Sequence, residues 1–179
     1  MGHLFYCRHG QTVWNVEDKI CGSTDSPLTD FGRQQAREAA EKIKAEGICF
    51  DEILYSPLSR AKDTALIISE MTGIPAREEP RLFEQNFGKW EGTSPRKSQA
   101  FSEAKRCFVS SYEGGESMLK LCHRVYSLLD EIVRDEKTYL LVAHNGISRV
   151  VHSYFNDMTN EEYAAFGIKN CEICEYKWN

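Results

Sequence analysis

The sequence predicts an α/β domain, a three-layer α/β/α sandwich around a mostly parallel central sheet. Three observations carry this. Short apolar runs alternate with longer segments whose apolar residues recur every three or four positions. One of the runs, Tyr139-Leu-Leu-Val-Ala143, is continuously apolar, as a strand covered on both faces must be. The length of 179 residues, with 41% apolar content, suffices for one domain with a substantial core and is short for two.

In chain order, His3 to Cys7 is short, apolar and aromatic and reads as a buried strand. Asp25-Ser-Pro-Leu-Thr29 is a turn, with Thr29 as N-cap of a helix from about Asp30 to Glu46. Ala36, Ala39, Ala40 and Ile43 form its buried stripe, and Gly47 stops it. Glu52 to Tyr55 is a second strand, followed by Ser56-Pro57, where Pro57 serves as a first helical residue. Ala61, Ala65 and Ile68 mark the inner face of that helix, which ends at Gly73 before Pro75. A long helix runs from about Ser117 to Arg134, with Met118, Leu121, Val125, Leu128, Leu129 and Ile132 along one side. Another helix is expected after Gly146, and Cys171 to Trp178 returns as an edge strand. Residues 93–113, with Pro95 and the basic pairs Arg96-Lys97 and Lys105-Arg106, show little periodicity. They read as a loosely helical, lid-like excursion.

Composition excludes several classes. A formal charge of -5 gives no electrostatic footprint for nucleic acid or an anionic membrane. No run of eighteen apolar residues exists, and Met1 to Cys7 lacks the pattern of a signal peptide. Tyr6 stands where a myristoylation site needs Ser or Thr. Seven scattered cysteines suit free thiols in a reducing cytoplasm better than a disulfide framework. Cys171-Glu-Ile-Cys174 has metal spacing but no second ligand pair, and strand alternation points its two thiols to opposite faces. Core cysteines, with no metal, are the expectation.

In such sheets ligands bind beyond the carboxyl ends of the strands. Arg8-His9-Gly10 ends the first strand, Ser56-Pro-Leu-Ser-Arg60 follows the second, and His144-Asn145-Gly146 ends the central one. Topology thus gathers two histidines and two arginines on one rim. A neutral imidazole can attack an electrophile, and guanidinium groups can hold the oxyanion attacked, which is what a phosphate ester requires. Like-charge repulsion from Arg8 and Arg60 keeps His9 neutral. Gly10 and Gly146 would let main-chain amides face the anion. Glu84, in the apolar and aromatic stretch Leu82-Phe-Glu-Gln-Asn-Phe87, is the candidate acid. Glu91, seven residues on, is the alternative, and a surface group is the other reading of either carboxylate.

These stretches carry a resemblance. Arg8-His-Gly-Gln-Thr-Val-Trp-Asn15, Asp25-Ser-Pro-Leu-Thr-Asp-Phe-Gly32, Ser56-Pro-Leu-Ser-Arg60, Glu84 with Phe87-Gly-Lys-Trp-Glu-Gly92, Gly114-Gly-Glu-Ser117 and Ala143-His-Asn-Gly146 resemble, in order, the histidine phosphatase superfamily. The likeness is to its phosphoglycerate mutase-like branch and implies that branch's fold. It implies that His9 becomes phosphorylated, that Glu84 serves as acid and base, and that Arg8, Arg60 and His144 form the phosphate pocket. Asn15 matches a residue that also reaches the phosphate. Cys21, Gly22, Asn145 and Gly146 fall on the substrate side, with Cys21 and Asn145 departing from the family's usual residues. The family needs no metal or cofactor, and its partner is a small phosphorylated metabolite: a sugar phosphate, phosphoserine, ribazole phosphate or a phosphoglycerate.

Two fates follow phosphorylation of His9. Water takes the phosphoryl group in a phosphatase, and a second substrate hydroxyl takes it in a mutase. Mutases of the family carry a longer insertion after Trp-Glu-Gly and a closing C-terminal tail, so the short segment 93–113 and the ending at Trp178-Asn179 favour a phosphatase. A non-catalytic phosphate-dependent binding protein is the third reading, although no pocket residue is missing. His9 alone reads equally as a strand-end histidine bonded to the backbone. Trp14 and Trp90 read as packing residues able to wall the pocket. The basic pairs in 93–113 read as a solvated face or as a grip on a second anion of the substrate.

Overall fold

The computed structural model describes residues 2–94 and 99–179. The strands β1 (Gly2–Arg8), β2 (Glu52–Tyr55), β3 (Ala76–Glu78), β4 (Tyr139–Ala143) and β5 (Ile173–Trp178) form one sheet in the order β3-β2-β4-β1-β5. The first four run parallel, and β5 pairs antiparallel with β1 at one edge. The described helices are α1 (Val13–Val16), α2 (Asp30–Ala45), α3 (Ser59–Thr72), α4 (Gln99–Ala104), α5 (Met118–Ile132), α6 (Asn145–Phe155) and α7 (Asn160–Ala165).

Strand alternation sorts the core into two layers. Phe5, Cys7, Ile53, Leu140 and Val142 pack with Ala40 and Ile43 of α2 and Ala61, Ala65 and Ile68 of α3. Leu4, Tyr6, Leu54, Leu141 and Ala143 face the other way, onto α5, α6 and α7. The three-layer arrangement follows, and every residue of β4 is buried. Caps sit where the residue types require: Thr29 accepts from the Gly32 amide, and Gly73 closes α3 at φ 75°, where a Cβ would be strained.

Three boundaries differ from expectation, and one strand is added. The third helix starts at Ser59 instead of Pro57, because Ser56 still extends the sheet (N to Val142 O, 3.1 Å) and the Asp25 carboxylate then accepts from the Ser59 amide at 2.9 Å. Asn145, ahead of Gly146, already lies in α6. The final strand begins at Ile173, because Cys171 takes a left-handed φ of 57°. β3 is an addition, three half-buried or exposed residues too short to show a period. Within 93–113, α4 is a six-residue helix whose Phe101 packs on Phe87 and Trp90; Pro95 and Arg96-Lys97 lie outside the described residues.

Cys171 packs with one core layer and Cys174 with the other. Among the described residues no group of three or more His, Cys, Asp or Glu could hold a metal, and no helix is long and apolar enough to cross a membrane.

Register places the site. Arg8 pairs with Ala143, so His9 and His144 leave adjacent strands side by side, and the His9 amide donates to the Ala143 carbonyl at 3.0 Å. Tyr55 pairs with Val142, which brings Ser56 to the other side of His144.

Candidate active site

A cavity of about 200 Å³ opens at the carboxyl end of the sheet. Arg8, His9, Asn15, Cys21, Gly22, Arg60, Glu84, Asn145 and Gly146 all line it. The other lining residues are Ile20, Phe87, Phe101, Lys105 and Arg149.

The His9 Nδ1 lies 2.7 Å from the Gly10 carbonyl. A carbonyl oxygen only accepts, so Nδ1 carries the proton and Nε2 keeps its lone pair. Burial, then the charges of Arg60 and Arg8, hold the imidazole pKa well below its ordinary value. The ring is therefore neutral and nucleophilic at neutral pH. From behind, the Asn170 amide donates to the His9 carbonyl at 2.8 Å and fixes the strand end.

Arg60 is 1% exposed, and its guanidinium is aimed by its surroundings. Nη2 donates to the Gly22 carbonyl (2.7 Å), Nη1 to the Thr24 carbonyl (2.9 Å) and Asp25 (3.3 Å), and Nε to Nδ1 of His144 (3.2 Å). Because His144 Nδ1 accepts, its proton sits on Nε2, which donates to Ser56 Oγ at 2.6 Å. Both nitrogens of His144 are thus committed inside the protein. The residue is fully buried behind the cavity, 5.3 Å from the His9 ring, and it holds Arg60 instead of reaching the cavity. Arg8 donates to the Ile168 carbonyl at 2.7 Å. The Asn15 oxygen accepts from the Thr12 amide in the capping box of α1, so its NH2 group remains a donor.

Glu84 accepts from the amides of Gln85 (2.8 Å) and Gly146 (2.9 Å). Burial raises its pKa against the opposing pull of those donors and of Arg60 and Arg149. Glu91, the alternative acid, is spent elsewhere. Its oxygens accept from the amides of Ser23, Thr24 and Phe87 and from the hydroxyls of Ser23 and Thr24, pinning the loop that carries Gly22.

Two expectations are corrected. The amides of Gly10 and Gly146 do not face an anion: the first donates to Thr64 Oγ1 and the second to Glu84. Glycine is required because a Cβ at Gly10 would lie 2.3 Å from the Gly32 carbonyl, and one at Gly146 would lie 2.4 Å from the Glu84 carboxylate. Neither Trp14 nor Trp90 walls the cavity; the apolar side belongs to Ile20, Phe87 and Phe101.

A family model described as "Histidine phosphatase superfamily (branch 1)" matches residues 4–179. The chain belongs to this superfamily. Its fold is accordingly phosphoglycerate mutase-like. The "Probable phosphoglycerate mutase GpmB" of Yersinia enterocolitica is 38% identical over 183 residues, covering 97% of this chain and 83% of that protein. A mycobacterial glucosyl-3-phosphoglycerate phosphatase solved with VO3 superposes with a TM-score of 0.85 at 29% identity, over 98% of this chain and 90% of that one. A mutant phosphoserine phosphatase from Entamoeba histolytica, solved with phosphoserine, gives 0.83 at 29% identity, over 100% and 92%.

Sequence reasoning missed Arg149 and Asn170. Arg149 had a signal: it follows Asn145 by four residues on α6, so both lie on one helix face. Asn170 sits in a loop without periodicity and had none.

Proposed function

We propose that the protein is a phosphatase that hydrolyses a small phosphomonoester through a phosphohistidine on His9. One observation carries this: a neutral His9, locked as the Nδ1 tautomer, shares a small cavity with Arg8, Arg60 and a raised-pKa carboxyl at Glu84. In the first step Nε2 attacks phosphorus and the ester P–O bond breaks. Arg8 and Arg60 hold the equatorial oxygens while Glu84 gives its proton to the leaving alkoxide. In the second step Glu84 takes a proton from water, the water oxygen attacks phosphorus, and the P–N bond breaks to restore neutral His9. His144 serves the phosphate pocket through Arg60, and α4 acts as a lid over the substrate side.

The curated relative named as a mutase favours phosphoryl transfer back to the substrate as the second reading. The phosphatases among the solved structures and the short connection 93–113 favour water as acceptor. An aryl phosphate and a panel of phosphorylated metabolites, assayed with wild type and His9→Ala, test the reading. Turnover is expected to fall by on the order of a thousandfold or more in the variant, with acid-labile phosphate incorporated only by wild type. Absence of turnover on every phosphomonoester leaves only a non-catalytic binding role. Faster isomerisation than phosphate release from phosphoglycerate makes the protein a mutase.

A further inference from the structure

We propose that Cys7 and Cys171 form an oxidation site at the root of the nucleophile strand. Hydrogen peroxide joins them in a disulfide that displaces the two segments holding Arg8 and His9, and a thiol reductant restores them.

Two of the seven cysteines meet beneath the active site, where the phosphoryl chemistry uses neither. Cys7 is 0% exposed and is followed in the chain by Arg8 and His9. Cys171 is half-buried and follows Asn170. Both pack in the core layer that faces α2 and α3. Their donors converge on one acceptor: the Cys7 thiol donates to the Arg8 carbonyl at 3.4 Å, and the Cys171 amide donates to the same oxygen at 2.9 Å. The two thiols face each other, and that contact, followed by burial, pushes the Cys7 thiol well above its ordinary range. Cys174, the other half of the Cys-x-x-Cys run, packs with the opposite layer. Cys171 also holds a left-handed φ of 57°, a conformation that favours glycine, so the backbone gives no reason for a cysteine there.

Exposure sets the order of the chemistry. Cys7 is sealed, so Cys171 is the thiol that meets an oxidant from solution. Its sulfur attacks one peroxide oxygen, the O–O bond breaks, and the departing oxygen leaves as water with the thiol proton, giving a sulfenic acid. The Cys7 sulfur then attacks the Cys171 sulfur, the S–O bond breaks, and the hydroxyl leaves as water with the Cys7 proton. Two thiols are oxidised to a disulfide and the peroxide is reduced to water. A dithiol reverses the bond by exchange through a mixed disulfide.

Bond formation draws the sulfurs closer than two thiols in contact can lie, and the loop before β5 must follow. That loop is held to the site by hydrogen bonds. Asn170 donates to the His9 carbonyl at 2.8 Å, and the Ile168 carbonyl accepts from Arg8 at 2.7 Å. A shift of the loop therefore moves the nucleophile and its clamp together, and a displacement of about 1 Å at such a place costs on the order of a hundredfold in rate.

The test treats the reduced protein with hydrogen peroxide, removes the excess with catalase, alkylates free thiols in denaturant and digests without reductant. Mass spectrometry is expected to find the Cys7 peptide joined to the Cys171 peptide. Phosphomonoester turnover is expected to fall roughly tenfold or more and to return with dithiothreitol. Cys171→Ser and Cys7→Ala, each compared with its own untreated sample, are expected to keep their turnover through the peroxide step. Two alkylated thiols, a Cys171 sulfinic acid without the crosslink, or a crosslink to Cys174 overturns the proposal. A Cys7–Cys171 crosslink with unchanged turnover overturns its control of the site. An equal loss in both variants assigns the sensitivity to another thiol, such as Cys21 in the cavity, and overturns it too. Peptide mapping needs no substrate, so failure to hydrolyse any phosphomonoester overturns the phosphatase reading while the crosslink still decides this inference.

Discussion

At Glu84 burial pulls the carboxyl toward its protonated form while two main-chain N–H donors pull it toward the ionised one, and burial is the larger effect. An acid of this kind matters in proportion to how poor the leaving group is. An alkoxide must be protonated as it departs, whereas a nitrophenolate leaves without help. Glu84→Gln is therefore expected to lose roughly 10²–10⁴-fold in kcat/KM on an alkyl phosphate, and much less on nitrophenyl phosphate. Because kcat/KM reports the steps up to phosphoenzyme formation, slow hydrolysis of the phosphohistidine cannot mask the contrast. The pH profile gives a second readout. Activity falls at low pH as His9 takes a proton below the ordinary histidine range, and falls at high pH as Glu84 loses one above the ordinary carboxylate range. The variant keeps the acid limb and lacks the alkaline limb. Equal losses on both substrates would remove Glu84 from the acid role and leave it a positioning residue that caps α6.

The loop 166–171, between α7 and β5, is bound to the site by a set of hydrogen bonds from several elements. Ile168 is held at both ends of its backbone: its amide donates to the Asn145 side chain at 3.0 Å, and its carbonyl accepts from Arg8 at 2.7 Å. Cys171 donates to the Arg8 carbonyl at 2.9 Å, and Arg149 donates to the Phe166 carbonyl. Asn145 thus ties α6 to the segment that orients Arg8. Asn145→Gly removes one hydrogen bond and adds a flexible residue at a helix start, so stability is expected to fall by about 1 kcal/mol. KM for a phosphomonoester is expected to rise about three- to tenfold as Arg8 loosens, an expectation at the scale of a displaced contact. An unchanged KM with a lowered Tm would confine Asn145 to a structural role. This loop also marks the limit of what could be read in advance. The strands and helices with apolar periods, such as Tyr139–Ala143 and Met118–Ile132, were legible because burial imposes their pattern on the residues. The rim residues were legible because they end those strands. Asn170 and the hold on Ile168 were not, since they act through backbone atoms that any sequence supplies. The capping of α3 was hidden for a related reason: the group that does it, Asp25, lies 34 residues before Ser59 in the chain.

At the carboxyl end of the sheet two histidines lie buried side by side, and that has a consequence for the stability of the entire chain. His9 and His144 are both buried and both held neutral in the folded state, well below an ordinary value of 6.5. In the unfolded chain each titrates near 6.5. Above that pH neither state takes up the two protons, and these residues leave stability unchanged. Below it the unfolded chain binds protons that the folded chain refuses, so stability falls with falling pH until the depressed values are reached. The slope approaches two protons, about 2.7 kcal/mol per pH unit. Glu84 opposes this, because its folded pKa lies above the ordinary 4.5. Between those two values the folded chain holds a proton that the unfolded chain has lost, which offsets up to half of the slope. Tm measured calorimetrically is therefore expected to fall only slightly from pH 8 to about 7, where Lys105, held down to about 8 by burial, completes its protonation in the folded chain, and to drop more steeply as pH falls through 6 toward 5. His9→Asn should make that drop shallower, and Glu84→Gln should make it steeper. The two variants move the slope in opposite directions although their residues line the same cavity, which separates titration from any general loosening of the site. A Tm that holds constant between pH 7 and pH 5 would mean that the two imidazoles can be protonated without opening the fold, and that the neutral nucleophile is not a property of the folded sheet.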